Sequence, residues 1–209
     1  MARTRKQPEE RKADLIDAAR AVFRAKGYAA ASVTDIVREA GVSQGTFYVY
    51  FNNKENVFDA VAEVIVFEGF NAINEVALRE DLSAIEKLTE SMRILMTAEA
   101  AERWADESDA RRLRHMRDRV AKIASELYLP VATGIIKQGV AEGTMDVPYP
   151  EATAGYFVGA TLLHLDVYKG TEPLTSEQWF DAYLDFVVKV FGLKVKPEFR
   201  FDDRDKDPG

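Results

Sequence analysis

Residues 32–55 read Ser32-Val33-Thr34-Asp35-Ile36-Val37-Arg38-Glu39-Ala40-Gly41-Val42-Ser43-Gln44-Gly45-Thr46-Phe47-Tyr48-Val49-Tyr50-Phe51-Asn52-Asn53-Lys54-Glu55. Ser32 with Asp35 three residues on has the form of a capping box, so a short helix is predicted from Val33 to Ala40, closed by Gly41. Ser43 is placed to cap a second helix and Asn53 a further one. The turn between the first two, Ala40-Gly41-Val42-Ser43, contains a glycine that takes positive φ without strain. Two short helices joined in this way form a helix-turn-helix. Ile36, Ala40, Val42 and Phe47 are spaced to make the small core that fixes the pair, and Phe51 reads as a second core aromatic. The second helix then presents Gln44, Gly45, Thr46 and Tyr48 at its start. Small and polar groups there suit a DNA groove, because a recognition helix reads base edges mainly with its N-terminal residues.

Outward from this segment, nearly everything reads as helix. Leu15, Ile16, Ala19, Val22 and Phe23 make one apolar stripe of an amphipathic helix that Gly27 stops. The helix capped by Asn53 runs through Val57, Phe58, Val61, Val64 and Ile65. Asp81 is placed to cap a helix carrying Leu82, Ile85, Leu88, Met92, Leu95 and Met96. A long helical stretch covers about 109–142, with Pro130 expected to kink or split it and Gly143 to end it. Pro148-Tyr149-Pro150 is a loop, and Glu151 to about Lys169 the next helix. Thr175-Ser176-Glu177-Gln178 is a capping box for a last helix ending near Gly192. Residues 197–209 read as a polar tail. No strand alternation and no repeat is present, so the class is all-α. The expected organisation is a helix-turn-helix DNA-binding domain over residues 1–52, a larger helical domain over 53–193 and a polar tail over 194–209.

The motif Thr34-x-Ile36, Ala40-Gly41-Val42-Ser43-x-Gly45-Thr46-Phe47-Tyr48-x-Tyr50-Phe51-x-x-Lys54-Glu55 resembles the signature of the tetracycline-repressor family, and Gly27-Tyr28 fits it too. The match spans about residues 10–65. The later helices agree with that family's ligand-binding and dimerisation domain, and Gly139-Val140-Ala141-Glu142-Gly143 resembles a common turn there. The resemblance implies roles residue by residue. Tyr48 and Lys54 stand at phosphate contacts, with Thr34 a further one and Tyr50 at a position where relatives also meet phosphates. Gln44 and Thr46 approach bases or the adjoining backbone, and Ser43 and Gly45 complete the DNA-facing set. Lys54 also follows the Asn53 cap, where free helix N–H groups favour phosphate. The sequence departs from the pattern at Val49, where many relatives carry a polar or aromatic residue. Valine offers only apolar contact, such as to a thymine methyl.

Composition agrees with this division. The chain has 209 residues, 47% hydrophobic and 30% charged, a balance too apolar for disorder. Its net charge of −7 argues against a general nucleic-acid binder. Residues 1–54, however, carry ten Lys/Arg against six Asp/Glu, a net of +4, which leaves −11 for the rest. A basic end on an acidic body suggests one polyanion-facing module attached to something else. Arg3, Arg5 and Lys6 form either a frayed tail or an arm entering the minor groove. The absence of cysteine excludes disulfides and thiol chemistry. The longest nearly apolar run, Ala152 to Leu165, is too short to span a membrane, and a cytoplasmic protein is expected.

His115 and His164 lie far apart with no partner at metal-ligand spacing, so no metal site is expected. No P-loop, G-x-G-x-x-G or G-x-S-x-G occurs, so neither a catalytic site nor a cofactor is expected. An enzyme, or a helical adaptor without DNA binding, are the alternatives; metabolite turnover would mark the first and lack of salt-dependent DNA affinity the second. Phe70, Met96, Trp104, Tyr128 and Tyr156 are candidates to wall an effector cavity for a largely apolar small molecule. Trp179, Tyr183, Phe186 and Val190 form one apolar stripe of the last helix, and Phe180, Val187 and Phe191 a second. A helix apolar on two sides needs partners on two sides. With Gly155 and Gly159 permitting close approach, these residues are the expected homodimer interface. The expected partners are therefore double-stranded operator DNA, a second copy of the chain and a small-molecule effector. As the resemblance implies it, the mechanism is a repressor that its ligand releases from a pseudo-palindromic operator.

Overall fold

A computed structural model describes residues 7–102, 122–167, 176–194 and 197, with the side chains of 96–102, 162–167, 176–177 and 179–180 excepted. Every regular element among them is helical: α1 (Pro8–Ala30), α2 (Val33–Glu39), α3 (Gln44–Tyr50), α4 (Lys54–Leu78), α5 (Ala84–Glu102), α6 (Leu129–Ala141), α7 (Pro150–Val167) and α8 (Ser176–Val190), with one π-helical turn, Ala124–Tyr128, leading into α6. Residues 7–68 and 98–102 gather into one unit and residues 69–97 with those from 122 onward into a second.

The first unit follows from its caps and glycines. α1 buries the predicted stripe, with Leu15, Ala19 and Phe23 excluded from solvent, and breaks at Gly27, whose φ is +73°. Ser32 and Asp35 form the reciprocal capping box: the Asp35 N–H donates to the Ser32 Oγ at 3.2 Å and the Ser32 N–H to an Asp35 carboxylate oxygen at 3.1 Å. Gly41 at φ +62° closes α2. The Val42 N–H returns to the Val37 carbonyl and the Gly41 N–H to that of Arg38, the paired bonds that end a helix in a left-handed residue. Ser43 caps α3 and Asn53 caps α4, accepting from Thr46 N–H and Asn56 N–H respectively. The core joins Leu15, Ala19 and Phe23 of α1, Ile36 of α2 and Phe47 of α3 to Val57, Phe58, Val61 and Ile65 of α4. The expected boundary after residue 52 therefore differs from the structure, because the first turns of α4 supply a wall of this core.

The second unit holds the rest of α4, α5 up to Thr97, and α6 to α8. Ser83, rather than the expected Asp81, caps α5: its hydroxyl accepts from the Glu86 N–H at 3.3 Å while Glu86 accepts from the Ser83 N–H at 2.8 Å. Asp81 is instead gripped by Arg79 at 2.6 Å, two residues away. Pro130 splits the long helical stretch as expected. Lacking an N–H, it cannot continue the ladder, and the turn before it widens so that the Leu129 N–H reaches back to the Ala124 carbonyl. The predicted portion 109–121 of that stretch, the predicted end of α7 at Lys169, the Thr175 cap and the tail beyond 197 lie outside the described residues. Gly143 at φ +70° ends α6, and the buried Met145 folds back over Gly139, where any Cβ would stand 2.5 Å from its sulfur. Gly192 closes α8 against Asp146, whose N–H donates to the Phe191 carbonyl at 3.0 Å.

Candidate nucleic-acid interface and effector site

α3 divides cleanly into an inner and an outer face. Phe47 is fully buried and Tyr50 packs half-buried on the same core, whereas Gln44, Gly45, Tyr48 and Val49 all face out. These four fall at i, i+1, i+4 and i+5, so they share one side of the helix. Tyr48 is 55% exposed and stands edge-on to Phe47, with ring centroids 5.4 Å apart, so its phenol is aimed but not buried. Val49 is 74% exposed, an unusual position for an apolar side chain with no internal contact to gain. Gly45 is not required by the fold: a Cβ there would meet only the Ser43 Oγ at an ordinary 3.7 Å. Glycine is a poorer helix former than alanine, and Gly45 stands in the first turn of α3 without steric need for it, so its presence points to something outside the chain that approaches closely.

The expected polar residues cluster where α2 meets α3. The Gln44 amide nitrogen donates to the Thr34 hydroxyl at 3.1 Å, and Ser43 and Thr46 share a hydroxyl contact at 3.0 Å. Behind them, the Lys26 ammonium sits 2.7 Å from Asp35. That bond, with the Ser32 hydroxyl second, holds the Asp35 carboxyl down at about 2. Thr34, Ser43, Gln44, Gly45, Thr46, Tyr48 and Val49 thus form one continuous solvent-facing surface. Arg3, Arg5 and Lys6 lie outside the described residues.

Lys54 departs from its expected geometry. It occupies the first position of α4, but its side chain turns back to the end of α1. The ammonium donates to the carbonyls of Tyr28 and Ala31, each at 2.8 Å, with Ala29 at 3.5 Å, and lies 4.2 Å from the centre of the Tyr28 ring. Its donors are therefore engaged within the protein rather than held out for a phosphate. A cation at the last carbonyls of a helix is favourable, and Tyr28 is itself wedged 4.9 Å from Phe58 of α4. No local signal announces this arrangement, because the partners are 23 and 26 residues away.

In the second unit, Phe70 and Tyr128, two of the effector-wall candidates, are both buried and their rings stack at 5.5 Å. Tyr156 is a correction. It is 80% exposed, because Ala154, Phe157 and Val158 are the inward residues of that part of α7. It shares the outer face with Gly155. The Met96 side chain and Trp104 lie outside the described residues, as does the side chain of Trp179. Of the remaining dimer candidates, Tyr183 and Val190 are half-buried, Phe186 reaches solvent, and a Cβ on Gly155 or Gly159 would meet nothing within 4 Å. A polar cluster that the sequence did not signal sits where α5 meets α6. Lys87, buried, donates to the Ala77 carbonyl at 2.8 Å and to Gln138 at 2.9 Å, and the Glu142 carboxylate accepts from the Ala84 N–H at the start of α5. Among the described residues no group of acidic and histidine side chains is placed to hold a metal, and no helix is long and apolar enough to cross a membrane.

Residues 15–61 match the family model described as bacterial regulatory proteins, tetR family. The chain is 26% identical over 159 residues to the HTH-type transcriptional regulator YfiR of Bacillus subtilis, covering 74% of this chain and 77% of that one. It is 27% identical over 192 residues to the HTH-type transcriptional repressor KstR2 of Mycolicibacterium smegmatis, covering 88% and 92%. Among solved structures, a transcriptional regulator from Cytophaga hutchinsonii superposes with a TM-score of 0.65 at 19% identity, over 85% of this chain and 93% of that one.

Proposed function

From the premise that the chain is a DNA-binding transcriptional regulator of the TetR family, we propose that it is a repressor which binds a pseudo-palindromic operator as a homodimer and is released by a small molecule. The outer face of α3 carries this reading: Gln44, Gly45, Tyr48 and Val49 project from a helix whose position is set by Phe47, the Ser43 cap and the Gly41 turn. In the major groove, the Gln44 amide offers a donor and an acceptor to adenine and Val49 offers methyls to thymine. Thr34, Ser43, Thr46, Tyr48 and Tyr50 supply hydroxyls to the flanking backbone, contacts that fix register without reading sequence. Lys54 supports the interface by tying α1 to α4.

Dimerisation is assigned to α7 and α8. Gly155, Gly159 and Tyr156 leave an outer surface with no internal use, and Phe186 adds an exposed ring on α8. The effector is assigned to the second unit, beside Phe70 and Tyr128. A ligand lowers operator affinity by whatever free energy separates its binding to the DNA-competent and DNA-incompetent arrangements. α4 and α5 each run through both units, and α4, which follows directly on the helix-turn-helix, is assigned to carry that difference.

The test is selection of bound fragments from random DNA by the purified protein, with sedimentation of the free protein. The expected result is an inverted repeat and a particle of about twice the 23.5 kDa chain. A clean monomer, or no enriched sequence, would refute the proposal.

A further inference from the structure

The second unit contains a buried polar group that no other described residue uses. Tyr128 is only 5% exposed, yet its hydroxyl has no hydrogen-bond partner among the described residues. Burying a hydroxyl without a partner costs on the order of 1–3 kcal/mol, so such a group persists where something outside the chain meets it. Three further observations bear on what that is. Tyr128 ends the π-helical turn Ala124–Tyr128, and π turns inside helical stretches concentrate at functional sites. Its ring lies flat on Phe70, so the phenol is oriented by stacking rather than by a bond. Close by, Thr161 and Tyr183 bring two more hydroxyls within 3.4 Å of each other, on α7 and α8.

The protonation state sets the direction of the missing bond. Burial, with the Tyr183 phenol as a lesser contribution, pushes the Tyr128 hydroxyl far up, so it keeps its proton and acts as a donor. An anionic head group would need a cation beside it. Among the described residues of this unit the buried cation is Lys87, and it is already occupied by the Ala77 carbonyl and Gln138. Among the described groups, a proton-donating phenol in apolar surroundings with no free cation beside it favours a neutral oxygen acceptor over a carboxylate.

We propose that the effector is a neutral, mainly apolar molecule carrying a carbonyl-type oxygen, and that this oxygen accepts a hydrogen bond from Tyr128 while its apolar body lies beside Phe70. This deepens the assignment of effector binding to the second unit and rests on it. Tyr128 is then the residue that distinguishes an oxygenated ligand from a plain hydrocarbon.

The experiment uses the full chain, its Tyr128→Phe variant, and two probes of equal chain length, 2-undecanone and undecanoate at pH 8. Unfolding temperature without probe is measured first. The variant is expected to unfold at or above the wild-type temperature, since only an unpartnered hydroxyl is removed; a clear loss of stability would show that the hydroxyl is already bonded and would overturn the inference. Direct titration follows. The ketone is expected to bind the wild type at least ten-fold tighter than it binds the variant, and tighter than the carboxylate binds the wild type. No ketone binding, equal binding to both proteins, or preference for the carboxylate overturns the inference. Operator release is scored separately. Tyr128-dependent ketone binding that leaves the DNA complex intact would support the hydrogen bond and sink ligand-released repression. Release that persists unchanged in Tyr128→Phe would sink the hydrogen bond alone.

Discussion

Replacing Lys54 by methionine distinguishes two roles that its sequence position allows. Methionine keeps an unbranched stem of similar length beside Tyr28 and removes only the ammonium. The wild-type ammonium makes two bonds of 2.8 Å to the Tyr28 and Ala31 carbonyls and lies 4.2 Å from the Tyr28 ring centre. Hydrogen bonds to a charged group contribute about 1.5–3 kcal/mol each when buried, and an exposed cation–π contact about 0.5–1 kcal/mol. Lys54 is half-buried and water can replace part of each bond, so a net loss of about 2 kcal/mol is expected on substitution. In a chain of this size that corresponds to a fall in Tm of roughly 4–8 °C. Thermal unfolding followed by circular dichroism reads this directly. Operator affinity measured across a salt series reads the alternative. A phosphate contact releases a counterion, and its loss would lower the slope of log K against log salt by about 0.9 per subunit. The geometry predicts a destabilised variant whose salt slope is unchanged. A variant with wild-type Tm and a reduced slope would refute the reasoning and return Lys54 to the DNA.

Gly45→Ala should stabilise the free protein by roughly 0.5–1 kcal/mol in denaturant titration, since its Cβ meets nothing closer than 3.7 Å, while operator affinity falls at least ten-fold; unchanged DNA binding would show that nothing approaches that backbone. Gly139→Ala should cost about 1–3 kcal/mol because its Cβ would stand 2.5 Å from the Met145 sulfur. Added to Met145→Ala, the same change should cost far less, and equal costs in both backgrounds would count against the clash. Asp35 has a folded-state pKa of about 2, below its ordinary 3.8, so its bonds to Lys26 and Ser32 stabilise the fold above about pH 4 and are lost as pH falls through 2. The carboxyl carbon shift of Asp35 followed by NMR should titrate near 2, and a midpoint near 4 would dispose of the pairing.

The parts of this fold that could be read from sequence are those decided within a few residues. The caps at Ser32, Ser43 and Asn53 and the left-handed glycines at 27, 41, 143 and 192 depend on neighbours in the chain. The α5 cap was misplaced by two residues. Asp81 precedes the apolar run, but the box to Glu86 makes Ser83 the cap while Arg79 engages Asp81. What could not be read depends on pairings across the chain. The folding-back of Lys54 onto α1, the entry of α4 into the first core and the outward turn of Tyr156 are each set by which faces of separate helices meet, and periodicity alone leaves that choice open. The outward residues of α3 were legible because they are the positions that the core does not use.

That separation has an evolutionary consequence. The direction of α3 is dictated by a backbone turn at Gly41, one serine cap and one buried ring, none of which lies on the outward face. Residues 44, 45, 48 and 49 can therefore be exchanged without taxing the core that positions them. A duplicated copy of such a gene could acquire a new target sequence through a few surface changes while its folding remained under the same selection as before. In this architecture, drift in what is read and constancy in how the reader is built are independent variables.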